Sequence, residues 1–212
     1  MGWGDRAGGP ARRDGRDAPA ARAGRRIVVV GTSGSGKTTF ARRLAAGLGI
    51  PHVELDALHW EPEWTEATDE VFRARVAEAT AQDAWVVDGN YSRVRGILWP
   101  RASAVIWLDY PLRTILTRVL SRTLRRVFTR EELWNGNRER FFRSVFGRES
   151  IIRWALRTYR TRRREYPALF ARPEYAHLSV VRLRSPRGAR RWLAGLQAAR
   201  AEPPRDRAAG GE

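Results

Sequence analysis

The sequence predicts an α/β protein, a three-layer sandwich in which a five-stranded parallel sheet lies between layers of helices. Two observations carry that expectation. Short, β-branched apolar runs alternate with helical patterns along most of the 212 residues, and strands separated by helices form parallel sheets with right-handed crossovers. In addition, the string Gly31-Thr32-Ser33-Gly34-Ser35-Gly36-Lys37-Thr38 lies between the first such run and the first helical pattern. It matches the P-loop pattern G-x-x-x-x-G-K-[ST] in full, in the strand-to-helix context that the pattern requires.

The elements follow in order. Arg26 to Val30 is apolar on both faces, as a central parallel strand must be. Thr38 to Ala46 has Phe40 and Leu44 at helical spacing. Gly47, Gly49 and Pro51 separate that helix from a second strand, His52 to Leu55. A helix is expected over Asp69 to Ala81, with Phe72, Val76 and Ala79 on one side and acids in its first turn. Ala84 to Asp88 reads as a third strand, Ala104 to Leu108 as a fourth and Leu178 to Leu183 as a fifth. A closing helix covers Pro186 to Gln197. The stretch from about 125 to 150 breaks the alternation. It is charged, contains the turn Asn135-Gly136 and lies between two long arginine-rich helices, so it reads as an inserted lid. One domain over 26–197 is expected, with a disordered arm over 1–25 and a disordered tail over 198–212, both rich in Gly, Ala, Arg and Pro.

Composition narrows the function classes. The chain has no cysteine, which removes disulfides, thiolate metal sites and a cysteine nucleophile. No apolar run approaches the roughly 20 residues that span a bilayer, and a cytoplasmic protein is expected. The net charge is +17, and sixteen arginines stand against four acids between Arg113 and Arg164. Such a cluster suits a surface that closes over phosphates, and it would also suit nucleic acid.

Lys37 is the chain's only lysine; every other one of its 40 basic residues is arginine. A position that keeps lysine against that bias needs a compact, rotatable point charge in place of a planar fork. In a P-loop, Gly31 to Thr39 would wrap the phosphates with backbone N–H groups and the helix N-terminus. Lys37 would reach the β- and γ-phosphates, and Thr38 would help to hold Mg²⁺. ATP is the expected nucleotide, because the guanine-reading N-K-x-D motif needs a second lysine. Asp56, Asp88 and Asp109 each sit at or just past a strand end, where ligands bind in open parallel sheets. Asp56 could accept or orient the proton of an acceptor hydroxyl, and Asp88 could accept from a water on Mg²⁺. His59 and Trp60 could line an acceptor pocket or simply pack, while His52 and His177 read as structural.

In these motifs the chain resembles the adenylate-kinase-like nucleotide kinases over about residues 26 to 197. Asp88-Gly89 ends a strand as in that family's D-G-F-P-R, and after Tyr110-Pro111 come Arg118 and Arg122, four apart on one helix face. The resemblance implies a nucleoside monophosphate kinase-like fold with an arginine-rich helical lid. It assigns phosphate-gripping roles to Arg118 and Arg122, and beyond the lid Arg148, Arg157, Arg160 and Arg162 to Arg164 resemble that family's returning arginines. Of these, Arg148 and Arg157 are the preferred candidates, and the 162–164 run is expected to face water. Leu55-Asp56-Ala57-Leu58-His59-Trp60, Trp85 to Tyr91 and Leu133 to Glu139 further resemble the branch known as DNA topology modulation (FlaR-like) proteins. Gluconate and shikimate kinases also place an aspartate after the second strand, as Asp56 stands here. D-G-F-P-R itself is not reproduced, since Arg93 falls one place late. What the resemblance implies is an ATP- and Mg²⁺-dependent transfer of the γ-phosphate to a small acceptor. The alternative is a nucleotide-dependent regulator that binds DNA through its arginine-rich segment, with Trp134, Phe141, Phe142 and Trp154 interleaved. No helix-turn-helix or zinc-finger pattern supports it, and the aromatics are explained more simply by packing.

Overall fold

The computed structural model describes residues 24–129 and 151–201, with side chains left undescribed at 123–129, 151–155 and 200–201. Most of the expected arm and tail, the expected lid from residue 130 onward and Arg148 lie outside the described residues.

Five parallel strands form one sheet in the order β2-β3-β1-β4-β5. They are β1 (Arg26–Gly31), β2 (His52–Glu54), β3 (Trp85–Asp88), β4 (Ala104–Leu108) and β5 (Ser179–Leu183). The helices are α1 (Lys37–Leu48), α2 (Leu55–His59), α3 (Asp69–Ala79), α4 (Arg95–Leu98), α5 (Leu112–Thr129), α6 (Ile151–Phe170) and α7 (Pro186–Ala201). This is the expected α/β three-layer architecture, with each expected strand within one residue at either end.

The period of two along β1 builds both cores. Ile27 and Val29 face a cluster with Phe40 and Leu44 of α1, Ile115 and Val119 of α5, and Trp192 and Leu196 of α7. Val28 and Val30 face the other way, onto Phe72 and Val76 of α3, Leu98 of α4, and Tyr166 and Leu169 of α6. β1 is thus buried on both faces, which is why it reads as a continuous apolar run. Thr68 caps α3, its hydroxyl accepting from the Val71 N–H at 3.3 Å.

Three differences from the sequence expectation have local causes. Leu55 leaves β2 and starts α2, so Asp56 sits on a short helix that the pattern did not predict. α3 stops at Ala79, where the Thr80 hydroxyl turns back to bond the Val76 carbonyl at 2.7 Å. α7 runs to Ala201, past the expected end, because Ala198, Ala199 and Ala201 are strong helix formers and the first breaker is Pro203. Among the described residues, no helix is long and apolar enough to cross a membrane.

Candidate active site

The P-loop opens at the carboxyl end of β1, between β3 and β4, where the chain leaves the sheet on opposite sides. Close approach explains its first glycine. A Cβ on Gly31 would lie 2.8 Å from both the Leu108 carbonyl oxygen and Ser35 Oγ. Gly36, with φ of 82°, starts α1 in the left-handed region, which glycine takes without steric cost. No side chain caps α1, so its first N–H groups face the loop as an anion site. The Ser35 N–H turns onto the Thr32 carbonyl at 2.9 Å. Ser35 Oγ is buried without a hydrogen-bond partner. A cradle of this shape fits nucleotide phosphates. Ser33 is half-buried and Thr39 exposed at its mouth.

Lys37 follows at the first turn of α1. Burial, and after it the Arg162 guanidinium, pull its ammonium down to about 8, against the opposing pull of Asp56 and Asp88. Arg162, Asp56 and Asp88 therefore all lie near the Lys37 ammonium. The Thr38 hydroxyl donates to Asp88 Oδ2 at 2.7 Å and lies 3.3 Å from Glu54 Oε1. His52 Nε2 holds the other Asp88 oxygen at 2.8 Å. Among the described residues, no cluster of three or more His, Cys, Asp or Glu could cage a metal. A hydroxyl with one or two carboxylates is the donor set expected for Mg²⁺, which keeps several waters and takes its remaining ligands from phosphates. The residues present fit that ion.

Asp56 stands on α2 with Tyr91 donating to its Oδ1 at 2.6 Å. Burial, and then the Asp56 charge, push the Tyr91 hydroxyl upward, so it is a donor at any ordinary pH. Arg118 Nη1 bonds the Ser35 carbonyl at 3.0 Å, with its guanidinium over the Tyr110 ring. Arg122, one turn on, is half-buried and lowers the Lys37 pKa by its charge.

The expectation for the returning helix needs correction. Arg157 is exposed, whereas Arg162 reaches the Gly31 carbonyl at 3.4 Å and burial lowers its pKa. Arg163 does not face water alone, because it binds both oxygens of Asp109, at 2.6 and 3.2 Å. Five residues on a helix turn a side chain through roughly 140°, so Arg157 and Arg162 cannot share a face. Arg162 and Tyr166, at i and i+4, do share one. The spacing of Tyr159, Arg162, Tyr166 and Leu169 was the available signal.

Other side chains are consumed structurally. Arg93 pairs with Asp69 at 2.6 Å and Glu66 at 3.2 Å. His59 is buried against Trp60, Phe72 and Tyr91, and desolvation lowers its pKa. His177 donates to the Trp99 carbonyl at 3.2 Å. Asp109 is buried between Arg163 and Arg182. Glu54 and Asn90 were missed from sequence.

The family model described as AAA domain matches residues 27–139, more than half of the chain. The chain is similar to the shikimate kinase from Acinetobacter baumannii solved in complex with shikimate, at 20% identity and a TM-score of 0.50, over 85% of this chain and 95% of that one. It also matches a gluconokinase from Sinorhizobium meliloti 1021 at 23% identity and a TM-score of 0.46, over 84% and 94% of the two chains. At these identities the shikimate kinase likeness speaks for the fold, an α/β P-loop kinase fold. No curated protein matches the chain.

Proposed function

The chain belongs to the AAA-domain family, and on that premise we propose that it is an ATP- and Mg²⁺-dependent phosphotransferase acting on a small acceptor. The observation that carries this reading is the P-loop cradle, whose Thr38 hydroxyl donates to Asp88 Oδ2 at 2.7 Å. That bond joins the donor-binding loop to a carboxylate on the neighbouring strand's exit. Gly31 to Thr39 bind the nucleotide phosphates, and the α1 N-terminus and Lys37 neutralise their charge. Thr38 and Asp88, with Glu54 beside them, would hold Mg²⁺, which when bound neutralises charge on the β- and γ-phosphates. Arg118, Arg122 and Arg162 close on the transferred group from α5 and α6, and Arg148 is the residue to add from the expected lid. Arg157 is the weakest member of the set, given its exposure.

Where the acceptor is an alcohol, Asp56 takes the hydroxyl proton as the oxygen attacks the γ-phosphorus and the bond to the β,γ-bridging oxygen breaks, releasing ADP. Tyr91 holds Oδ1, so among the described residues Oδ2 is the oxygen to receive it. Such a base contributes about 10²- to 10⁴-fold. A phosphate acceptor needs no base, and the arginines then dominate. The strings Leu55–Trp60 and Trp85–Tyr91 support the finer reading that the chain sits in the DNA topology modulation branch of the adenylate-kinase-like proteins.

The test is ADP release with ATP and Mg²⁺ across a panel of nucleoside monophosphates, sugars and hydroxy acids. One acceptor class should stimulate release. Lys37→Ala should abolish it and weaken ATP binding at least about tenfold, and Asp56→Asn should slow it for a hydroxyl acceptor alone. No stimulation by any acceptor, with DNA affinity that falls steeply with salt, would sink this reading in favour of a nucleotide-dependent regulator.

A further inference from the structure

One side chain outside the chemistry above holds both backbone groups of the first P-loop residue. Asn90 Oδ1 accepts from the Gly31 N–H at 3.0 Å, and Asn90 Nδ2 donates to the Gly31 carbonyl at 2.7 Å. The same Oδ1 accepts from the Tyr166 hydroxyl of α6 at 3.0 Å. The three bonds agree on one amide orientation, because two donors meet the oxygen and one acceptor meets the nitrogen. A flipped amide would set its NH₂ against the Gly31 N–H. Tyr166 is buried, with its ring edge-on to Trp107 at 5.4 Å and tilted on Phe170 at 5.8 Å, which fixes where its hydroxyl points. Burial pushes that hydroxyl up to about 12, so it donates at neutral pH.

Gly31 is closely surrounded. The Leu108 carbonyl and Ser35 Oγ crowd the place of its missing Cβ, and its own carbonyl also takes Arg162 from α6. α6 therefore touches the P-loop twice, one helical turn apart, once directly and once through the Asn90 amide.

We infer that Asn90 is a positioning residue for the phosphate loop and that Tyr166 couples it to α6, so nucleotide affinity depends on where that helix sits. The inference rests on the proposed nucleotide site. Its physical basis is that an amide gripping the N–H and the C=O of one residue fixes the two peptide units that meet at Gly31, and with them the direction of the N–H groups that follow. Movement of α6 adds or removes a donor on the oxygen that receives the Gly31 N–H. Among the described residues the Tyr166 hydroxyl bonds Asn90 Oδ1, so the effect of removing that hydroxyl must vanish when Asn90 is gone.

The experiment is a double-mutant cycle on ADP binding in the presence of Mg²⁺, measured by titration calorimetry with thermal unfolding alongside. Tyr166→Phe keeps the ring and should weaken ADP about three- to tenfold, the range of one neutral hydrogen bond, with little change in unfolding midpoint. Asn90→Ala should weaken it at least as much, and the double variant should bind like Asn90→Ala. Should Asn90→Ala fail to fold, Asn90→Ser completes the same cycle. Wild-type affinity in Tyr166→Phe, or losses that multiply in the double variant, would overturn the coupling. Failure of the wild-type protein to bind ADP would instead overturn the nucleotide site and the inference with it.

Discussion

At the scale of single residues, Lys37 carries the clearest consequence. Desolvation, and after it the Arg162 guanidinium, pull its ammonium down to about 8 from the ordinary 10.5. Phosphate needs the charged form. Below pH 8 the protonated lysine is already in place, whereas above it nucleotide binding must draw in a proton. Affinity for ATP should therefore fall by up to about tenfold per pH unit above 8. Calorimetry in buffers of different ionisation enthalpy should show uptake approaching one proton at pH 9 and none at pH 7. Uptake at pH 9 that persists in Lys37→Ala would mean another group is responsible. Lys37, Thr38 and Asp56 were legible as candidate site residues because the P-loop pattern and strand ends are local in sequence. Arg162 was not, because the inward face of α6 is set by Tyr166 and Leu169 packing on the sheet. Glu54 was not, because it meets Thr38 and Asp88 only where β2 lies beside β3.

Among the elements, the turn joining α2 to α3 stands out. Trp60 bridges Glu66 across a small antiparallel ladder, and the Thr65 N–H closes the turn on the Pro62 carbonyl at 3.3 Å. Its two central residues, Glu63 and Trp64, both have φ of 58°. Glycine and asparagine tolerate this conformation, and other residues pay for it at about 1 kcal/mol or more. The gain is that Trp64 reaches Trp60, ring centroids 5.5 Å apart. Glu63→Asn should thus stabilise the protein by about 0.5–1 kcal/mol, read as a higher denaturant midpoint at unchanged slope. A lower midpoint would show that the Glu63 side chain contributes more than its backbone costs. Nothing in the string Glu61-Pro62-Glu63-Trp64 announces a turn of this hand, since Asn-Gly is the usual signal. α2 escaped notice for a similar reason, as one and a half turns are too short for a periodic pattern.

For the whole molecule, the nucleotide loop is tied to three distant segments: Arg118 of α5, Arg162 and Tyr166 of α6, and Asn90 after β3. Ligand binding to the native state alone should stabilise all of them together. ADP with Mg²⁺ at about 100 times its Kd should add about 2.7 kcal/mol, raising the unfolding midpoint by about 5–10 °C. Lys37→Ala at the same concentration should show about half that shift or less. An equal shift in the variant would place ADP elsewhere on the molecule.

The sequence by itself determined the alternation of strands and helices, the two-sided burial of β1 and the identity of the phosphate loop. Those properties follow from periodicity and from glycine spacing, which act between near neighbours in the chain. The tertiary structure alone decided which arginines touch the loop, which carboxylates are consumed by ion pairs and that Asn90 holds Gly31. Charge and hydrogen bonding depend on distance through space, and residues 59 and 131 positions apart become neighbours only when the sheet assembles.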